Sequence, residues 1–437
     1  MQQRINARRL AFSVLSEVEK DGAYSNIALN KAFSEHLPDG RDRAFVTRLV
    51  YGVLENKLTL DYQIRQYLRQ GIRLKTPVRV LLRLGAYEIL YLDGVPARAS
   101  VNEYVTIARF VGVSYAAGMI NAVLRRISEH GLVLPEENEE HYLSVKYSVA
   151  PAILSVYEKE FGDETPRFLA AVCGETRIYG RINSLKTDFN GLKDALSAEG
   201  IEISPVDGVK DAFYFSDSAA FQSTKAFSQG RFFIQDLSGI CAGLLLAPEP
   251  GMKILDVCAA PGGKSFSAAI AAGGIGTVIS RDLHEHKIAL IADQAKRLGL
   301  HNIDAQVGDA LNTPPCAEFD RVICDVPCSG LGVLRKKPEL RYRDLSSMEE
   351  LKDLQYRILC AAAGALKPGG RMVYSTCTVT REENEAVVTA FLKAHPDYVP
   401  VRVPLPYGSE SDPGVRFLPQ TDRCDGFYAC AIERKDS

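Results

Sequence analysis

Two cysteines keep company that could do chemistry. One closes the run Cys324-Asp325-Val-Pro327-Cys328, which continues Ser-Gly-Leu-Gly, and the other ends Tyr374-Ser-Thr-Cys377. Each run continues a short apolar stretch of the kind that forms a buried strand, so both thiols and Asp325 are expected at the ends of neighbouring strands. Proline fixes φ and removes a donor, so Pro327 would hold Asp325 and Cys328 at the strand end rather than let the chain run into a helix. A single cysteine is most often a small buried hydrophobe. Two of them with an aspartate at adjacent strand ends point instead to nucleophilic addition to an electron-poor ring. C5 of cytosine is too weak a nucleophile to take a methyl group directly. A thiolate adding at C6, with a carboxylic acid donating to N3, turns C5 into an enamine-like carbon that can attack a methyl donor. A free thiol titrates at about 8.5, so the site must supply positive potential, and Lys264 is a candidate source. From these residues alone, either cysteine can be the nucleophile.

A methyl donor needs a cradle, and residues 254–264 read as one. Ile254-Leu-Asp-Val is a short apolar strand, Cys258, Ala259, Ala260, Pro261, Gly262, Gly263 and Lys264 form a small-residue turn, and an Ala-rich helix follows. Glycines there let backbone N–H groups approach a ligand, and the helix N-terminus adds partial positive charge. A phosphate loop would need glycine where this chain has Cys258, which argues against a nucleoside triphosphatase. Asp256, Asp282, Asp309 and Asp325 mark four expected strand ends, and Asp282 stands near the spacing at which a carboxylate takes ribose hydroxyls. Any one of them could simply cap a helix. Together they favour a nucleoside-containing ligand, with S-adenosylmethionine as the leading cofactor.

The elements that must position these residues follow from periodicity. Leu10, Val14, Leu15 and Val18, then Val46, Leu49, Val50, Val53 and Leu54, recur at helical spacing, and the first 131 residues read as a helical bundle. Thr76-Pro77 looks like a cap with proline at the first helical position, and Ser100-x-x-Glu103 like a capping box. Residues 141–230 mix helices and short strands, as in a small α+β module. From Phe232 onward strands and helices alternate, with strands at Ile254, Gly276, Ile303, Arg321 and Arg371, which predicts a parallel α/β sheet.

The chain has 437 residues, 46% hydrophobic and 24% charged, enough for two or three cores. No apolar run has membrane-spanning length, and the N-terminus lacks the pattern of a signal peptide, so a cytoplasmic protein is expected. Ten cysteines without a C-x-x-C pair favour neither zinc nor disulfides. The net charge of −2 hides an asymmetry: residues 1–131 carry 19 Lys/Arg against 12 Asp/Glu, so they stand at +7 and the remainder at −9. A basic module beside an acidic one suggests that the first meets a polyanion. Arg65, Arg69, Arg73, Lys75, Arg79 and Arg83 cluster there, and Arg125 and Arg126 extend the set.

With these motifs assembled, nearly the whole chain resembles the RNA 5-methylcytosine methyltransferases, in particular those that act on bacterial 16S ribosomal RNA. The resemblance is carried by Arg181-Ile-Asn, Leu255-Asp-Val-Cys-Ala-Ala-Pro-Gly-Gly-Lys, Asp325-Val-Pro-Cys-Ser-Gly, Leu366-Lys-Pro-Gly-Gly, Tyr374-Ser-Thr-Cys and Glu382-Glu-Asn. It implies an all-α NusB-like bundle at 1–140, a small α+β linking module at 141–230, and an α/β Rossmann-like class I methyltransferase domain at 231–437. It also implies that Cys258 to Lys264 hold the methionine part of S-adenosyl-L-methionine, Asp282 its ribose and Asp309 its adenine side. Asp325 would lie near the cofactor and cytosine N3. Cys377 is then the nucleophile and Cys328 promotes release of the product, whereas in DNA cytosine methyltransferases the Pro-Cys cysteine is the nucleophile. The implied partner is 16S ribosomal RNA, with Arg181 and the arginines at 65, 69, 73, 125 and 126 on it, and a monomer without metal or membrane is expected. Ser280-Arg-Asp282 departs from the family, which often has an apolar residue before the acid. A tRNA or DNA methyltransferase would keep the same crevice, and a non-catalytic RNA-binding factor would need only the helical part.

Overall fold

Helical periodicity builds the first part of the chain. The protein, seen in a computed structural model that describes residues 6–21, 25–175, 177–216 and 221–436, begins with the helices Ala7–Asp21, Ser25–His36, Gly40–Glu55, Lys57–Arg65, Thr76–Tyr91, Ala97–Phe110 and Ala117–His130. Their apolar stripes meet in one core, where Leu10, Val14 and Leu15 pack with Val46, Leu49, Val50 and Val53. Gly131 ends the last of these helices at φ 70°, a conformation glycine adopts without strain.

The structure departs from two of the expected caps, and at Ser100 a tertiary partner is the reason. Lys75, not Thr76, holds the cap position, and Thr76 begins the helix. Ser100 lies inside Ala97–Phe110, so the capping box does not form, and its hydroxyl donates to Glu88 Oε1 at 2.6 Å. Glu88 is fully buried. It also accepts from Tyr104 OH at 2.8 Å and from Arg8 Nη2 and Nε at 2.6 and 2.9 Å. Satisfying a buried carboxylate outweighs a surface cap, because an unpaired buried charge is the costlier defect.

Two compact units emerge. One runs through Lys159 and takes in Leu334–Arg343, and the other comprises Glu160–Val333 and the chain from Asp344. Within the first, the returning segment is held by Arg341 Nη1 on the carbonyls of Glu55 and Tyr147 at 2.8 and 3.1 Å, and by Tyr342 OH on Leu54 O at 2.6 Å.

The second unit holds two sheets. The smaller contains β1 (Tyr179–Ile182), β2 (Ile203–Pro205), β3 (Ala212–Phe215) and β4 (Phe232–Ile234), in the order β2-β3-β1-β4. The larger contains β5 (Lys253–Asp256), β6 (Thr277–Asp282), β7 (Ile303–Val307), β8 (Phe319–Asp325), β9 (Leu366–Thr376), β10 (Tyr398–Val401), β11 (Ser409–Ser411), β12 (Gly414–Phe417) and β13 (Phe427–Arg434). Its order is β11-β12-β13-β9-β8-β5-β6-β7, with β10 beside β13. Asn183 joins the two sheets' layers, donating through Nδ2 to Gly230 O at 2.9 Å and to Leu298 O at 2.8 Å, at the end of the helix Glu285–Leu298.

The five strands from β5 to β9 are parallel, as their alternation with helices predicts. The sheet as a whole is mixed, however, because β13 runs antiparallel to β9 and carries β12 and β10 antiparallel to itself. Phe-Tyr-Ala-Cys-Ala-Ile in β13 is buried throughout, and such a run has no alternation to separate a strand from a buried helix. Among the described residues no helix is long and apolar enough to cross a membrane.

The Glu88 cluster is open to test. Glu88→Ala leaves Arg8 without its anion and is expected to lower the unfolding free energy by about 3 kcal/mol in urea titrations followed by circular dichroism, with Glu88→Gln costing less.

Candidate active site

The strand order decides where the motifs meet. β5 lies between β6 and β8, and β8 between β5 and β9, so the carboxyl ends of β5 to β9 form one edge, where ligands of such sheets bind. Asp256 ends β5, Asp282 ends β6 and Asp325 ends β8. Asp309 follows β7 after one residue, Gly308, whose N–H donates to Asp282 O at 3.0 Å.

The turn after β5 is fastened on both sides. Val257 N–H donates to Ile323 O in β8 at 3.1 Å, and Ala259 N–H to Arg281 O in β6 at 2.7 Å. Gly262 has φ 107°, and a Cβ there would strike the Phe266 ring at 2.3 Å, so the turn tolerates only glycine at this point. The helix Gly263–Ala271 then begins with no side chain capping it. Its first amides are left for a polar or anionic ligand group.

Lys264, in the first turn of that helix, reaches across to Asp325, with Nζ 2.6 Å from Oδ2. Ser375 in β9 donates to the other oxygen, Oδ1, at 2.6 Å. The ammonium also lies 5.1 Å from the centre of the Phe427 ring. Beneath the turn, Asp256 accepts from Ser265 Oγ at 2.7 Å, and Ser265 Oγ contacts Ser280 Oγ at 2.8 Å. Burial pushes the Asp256 carboxyl up to about 7 against the Ser265 hydrogen bond, with the nearby Asp325 charge adding to the rise. Burial also raises the Cys258 thiol, reinforced by Asp256, Asp325 and Asp282 and opposed by Lys287. Cys258 thus senses three of the four strand-end carboxylates at once.

Asp282 is buried, with Lys287 Nζ 3.3 Å from Oδ1 and His284 N–H donating to the same oxygen at 3.2 Å. Asp309 caps the turn Ala310–Asn312, accepting from Leu311 N–H at 3.0 Å. The structure therefore gathers the turn 258–264 with Asp282 and Asp325, and sets Asp309 beside them at the next strand end. These residues suit a nucleoside-bearing cofactor such as S-adenosylmethionine: open helix amides for a carboxylate, and carboxylates for hydroxyls and amines.

The two thiols lie at the next pair of strand ends. β8 and β9 pair with Asp325 opposite Ser375, so the loops beyond them leave the sheet side by side. Cys328 Sγ and Cys377 Sγ are 3.1 Å apart. The Cys328 thiol is raised well above the usual thiol range, first by its hydrogen bond to Cys377 and then by burial. Either sulfur can be the donor of the pair.

The arginines divide. Arg65, Arg69 and Arg73 with Lys75, and separately Arg125 and Arg126, are exposed on the helical unit. Arg79 and Arg83 are withdrawn into ion pairs: Arg79 with Glu19 at 3.2 Å, and buried Arg83 with Glu19 at 2.9 Å and Asp61 at 2.6 Å. Arg181 is only 6% exposed within β1, and burial lowers its basicity.

Sequence reasoning missed Ser375, Phe427, Gln355 and Glu383. Ser375 and Glu383 lay in noted motifs but were given no role. A buried carboxylate in a Glu-Glu-Asn run carries no local signal, and Phe427 reaches Lys264 only through the antiparallel return of β13.

Comparison with known proteins agrees with this architecture. The family model described as "16S rRNA methyltransferase RsmB/F" matches residues 243–433, and that of the NusB family matches residues 5–129. A Bacillus subtilis (strain 168) protein named "Probable ribosomal RNA small subunit methyltransferase B" is 34% identical, over 99% of this chain and 100% of its own length. "Ribosomal RNA small subunit methyltransferase B" of Yersinia enterocolitica is 31% identical over 100% of both chains. The solved structure "Crystal Structure of PH0851" shares the fold, with a TM-score of 0.84 and 24% identity over 99% of this chain and 100% of that one.

Asp256 gives a pH test. Its unfolded carboxyl titrates near the ordinary value of 3.8 and its folded one at about 7. Folding therefore takes up a proton within that window, and the residue's contribution to stability falls as pH rises through it. Denaturation midpoints measured from about pH 4 to about pH 7 should decline more steeply for the wild type than for Asp256→Asn.

Proposed function

This chain belongs to the ribosomal RNA small subunit methyltransferase B family, and from that premise we propose that it transfers a methyl group from S-adenosyl-L-methionine to C5 of a cytosine in 16S ribosomal RNA, through a covalent adduct at C6. It would do so in the cytoplasm, as a monomer. The observation that carries this reading is the pair of thiols 3.1 Å apart, next to an aspartate bridged by Lys264 and Ser375.

The turn Cys258, Ala259, Ala260, Pro261, Gly262, Gly263 and Lys264 would hold the methionine part of the cofactor, Asp282 the ribose and Asp309 the adenine side. The cofactor supplies an electrophilic methyl group. Everything else in the reaction falls to the chain's own residues. Cys377 adds to C6 of the cytosine, and C5 gains the electron density it needs to attack. Asp325 offers the N3 edge a partner whose position is fixed from two sides. Cys328 promotes the elimination that frees Cys377 once C5 is methylated. The thiol contact supports a shared role, because the two sulfurs stand 3.1 Å apart and one can donate to the other. A hydrogen bond donated to a sulfur favours its ionised, nucleophilic form.

A stacked or paired base cannot reach a thiol at a strand end, so the target is a single-stranded or extruded cytosine. Arg65, Arg69, Arg73, Arg125 and Arg126, all exposed, would bind the RNA backbone. Arg181 is buried in β1, so its part in positioning RNA would come through the sheet it supports rather than through a phosphate.

Three measurements test the reading. Incubated with RNA and cofactor and run on denaturing gels, Cys377→Ala should form no covalent RNA adduct while Cys328→Ala accumulates one, and the reverse pattern would exchange the two roles. Replacing Arg65, Arg69 and Arg73 together by Ala should weaken RNA binding and flatten its dependence on log salt by about 2 to 3. Bisulfite sequencing of ribosomal RNA from cells lacking the protein should show one lost methylcytosine.

A further inference from the structure

Glu383 is completely buried, and the mechanism above does not use it. Its carboxylate accepts four hydrogen bonds. Oε2 takes Ser329 N–H at 2.8 Å and Gln355 Nε2 at 2.9 Å, and Oε1 takes Thr380 Oγ1 at 2.9 Å and Ser329 Oγ at 2.5 Å. Ser329 directly follows Cys328, and Thr380 stands three residues after Cys377. One carboxylate thus grips both thiol-bearing loops.

The surrounding contacts close the same junction. Gln355, on the helix Met348–Gly364, also donates to Pro327 O at 2.9 Å, just before Cys328. Ser329 Oγ contacts Thr378 Oγ1 at 2.8 Å, just after Cys377. Gly332 N–H donates to Cys377 O at 3.0 Å, and Tyr374 OH to the backbone oxygen of Glu383 at 2.6 Å. Ser329–Thr378 and Gly332–Cys377 span the two loops, while Gln355 and Tyr374 tie Glu383 to the neighbouring helix and strand.

We propose that Glu383 is a positioning residue that fixes the spacing of Cys328 and Cys377 and thereby decides which of the two thiols reacts. The proposal rests on the two-thiol reading given above. Two features separate it from a purely structural buried hydrogen-bond cluster. The bonds converge on the residues flanking the thiols rather than on the sheet core. The carboxylate charge also faces Cys328, where it adds to the effect of the Cys377 contact and of burial in keeping that thiol protonated.

The test compares wild type with Glu383→Gln, which keeps the size and loses the charge, and with Glu383→Ala. Methyl-transfer kinetics on 16S ribosomal RNA, calorimetric binding of S-adenosylmethionine, and alkylation of RNA-free protein by iodoacetamide, apportioned between Cys328 and Cys377 by mass spectrometry, are read together. Glu383→Gln should lose about tenfold or more in kcat with cofactor affinity unchanged, as expected when reacting groups shift without loss of binding, and Cys328 should take a larger share of the alkylation. Unchanged kcat and an unchanged alkylation ratio in both variants would overturn the proposal. Should either variant fail to fold, Ser329→Ala and Thr380→Val each delete one of the carboxylate's bonds and are judged by the same two readouts. Absence of a covalent adduct in Cys328→Ala would defeat the two-thiol reading itself. The alkylation ratio needs no RNA, and it would then still decide the role of Glu383.

Discussion

The parallel pairing of β8 with β9, in register at Asp325 and Ser375, is the constraint on which the rest of the site depends. It lets Ser375 hold one oxygen of Asp325 while Lys264, brought in on the other side by β5, holds the second. It also sends the two thiol loops off the sheet side by side. Side chains alternate faces along a strand, so a slip of one residue would turn Ser375 away from Asp325 and carry Cys377 away from Cys328. The hydrogen bonds around Glu383 restate this register beyond the last ladder bond, where the sheet itself can no longer enforce it.

Electrostatics divides the labour between the units. The crevice gathers Asp256, Asp282 and Asp325 around Cys258, and the residues beyond 131 carry a net −9. Such a field favours hydroxyls and amines and repels a polyanion at long range. The excess positive charge sits in the first 131 residues, where Arg65, Arg69 and Arg73 remain exposed. On the proposed reading, affinity for an RNA backbone and chemistry on a base would call on different parts of the chain. Lys264 is the local exception: its ammonium is committed to Asp325 and lies over the Phe427 ring, so it orders the site without making it basic.

Buried polar groups recur as organisers. Glu88 collects Arg8, Ser100 and Tyr104 in the helical unit, much as Glu383 collects Ser329, Gln355 and Thr380 in the other. In each case one carboxylate satisfies donors from several elements, and low dielectric makes any missing partner expensive. Such clusters define a single arrangement more sharply than apolar packing does.

By itself, the sequence determined what depends on local chemistry. Helical spacing built the first core from Leu10 to Val53, alternation predicted the parallel strands β5 to β9, and the small residues 258–263 announced a turn that only glycine at position 262 can complete. The strand-end aspartates and cysteines were visible for the same reason, since a polar residue after an apolar run marks where a buried strand surfaces. Only the tertiary structure decided which of those residues touch. Ser100 turned from a cap into a partner of Glu88, Arg79 and Arg83 were claimed by Glu19 and Asp61, and the uniform burial of β13 hid an antiparallel strand that delivers Phe427 to Lys264. The 3.1 Å contact between Cys328 and Cys377, and the carboxylate of Glu383 behind it, join residues about fifty positions apart. Periodicity and turn chemistry act over a few residues, whereas such contacts are set by strand order and register, which no local pattern encodes.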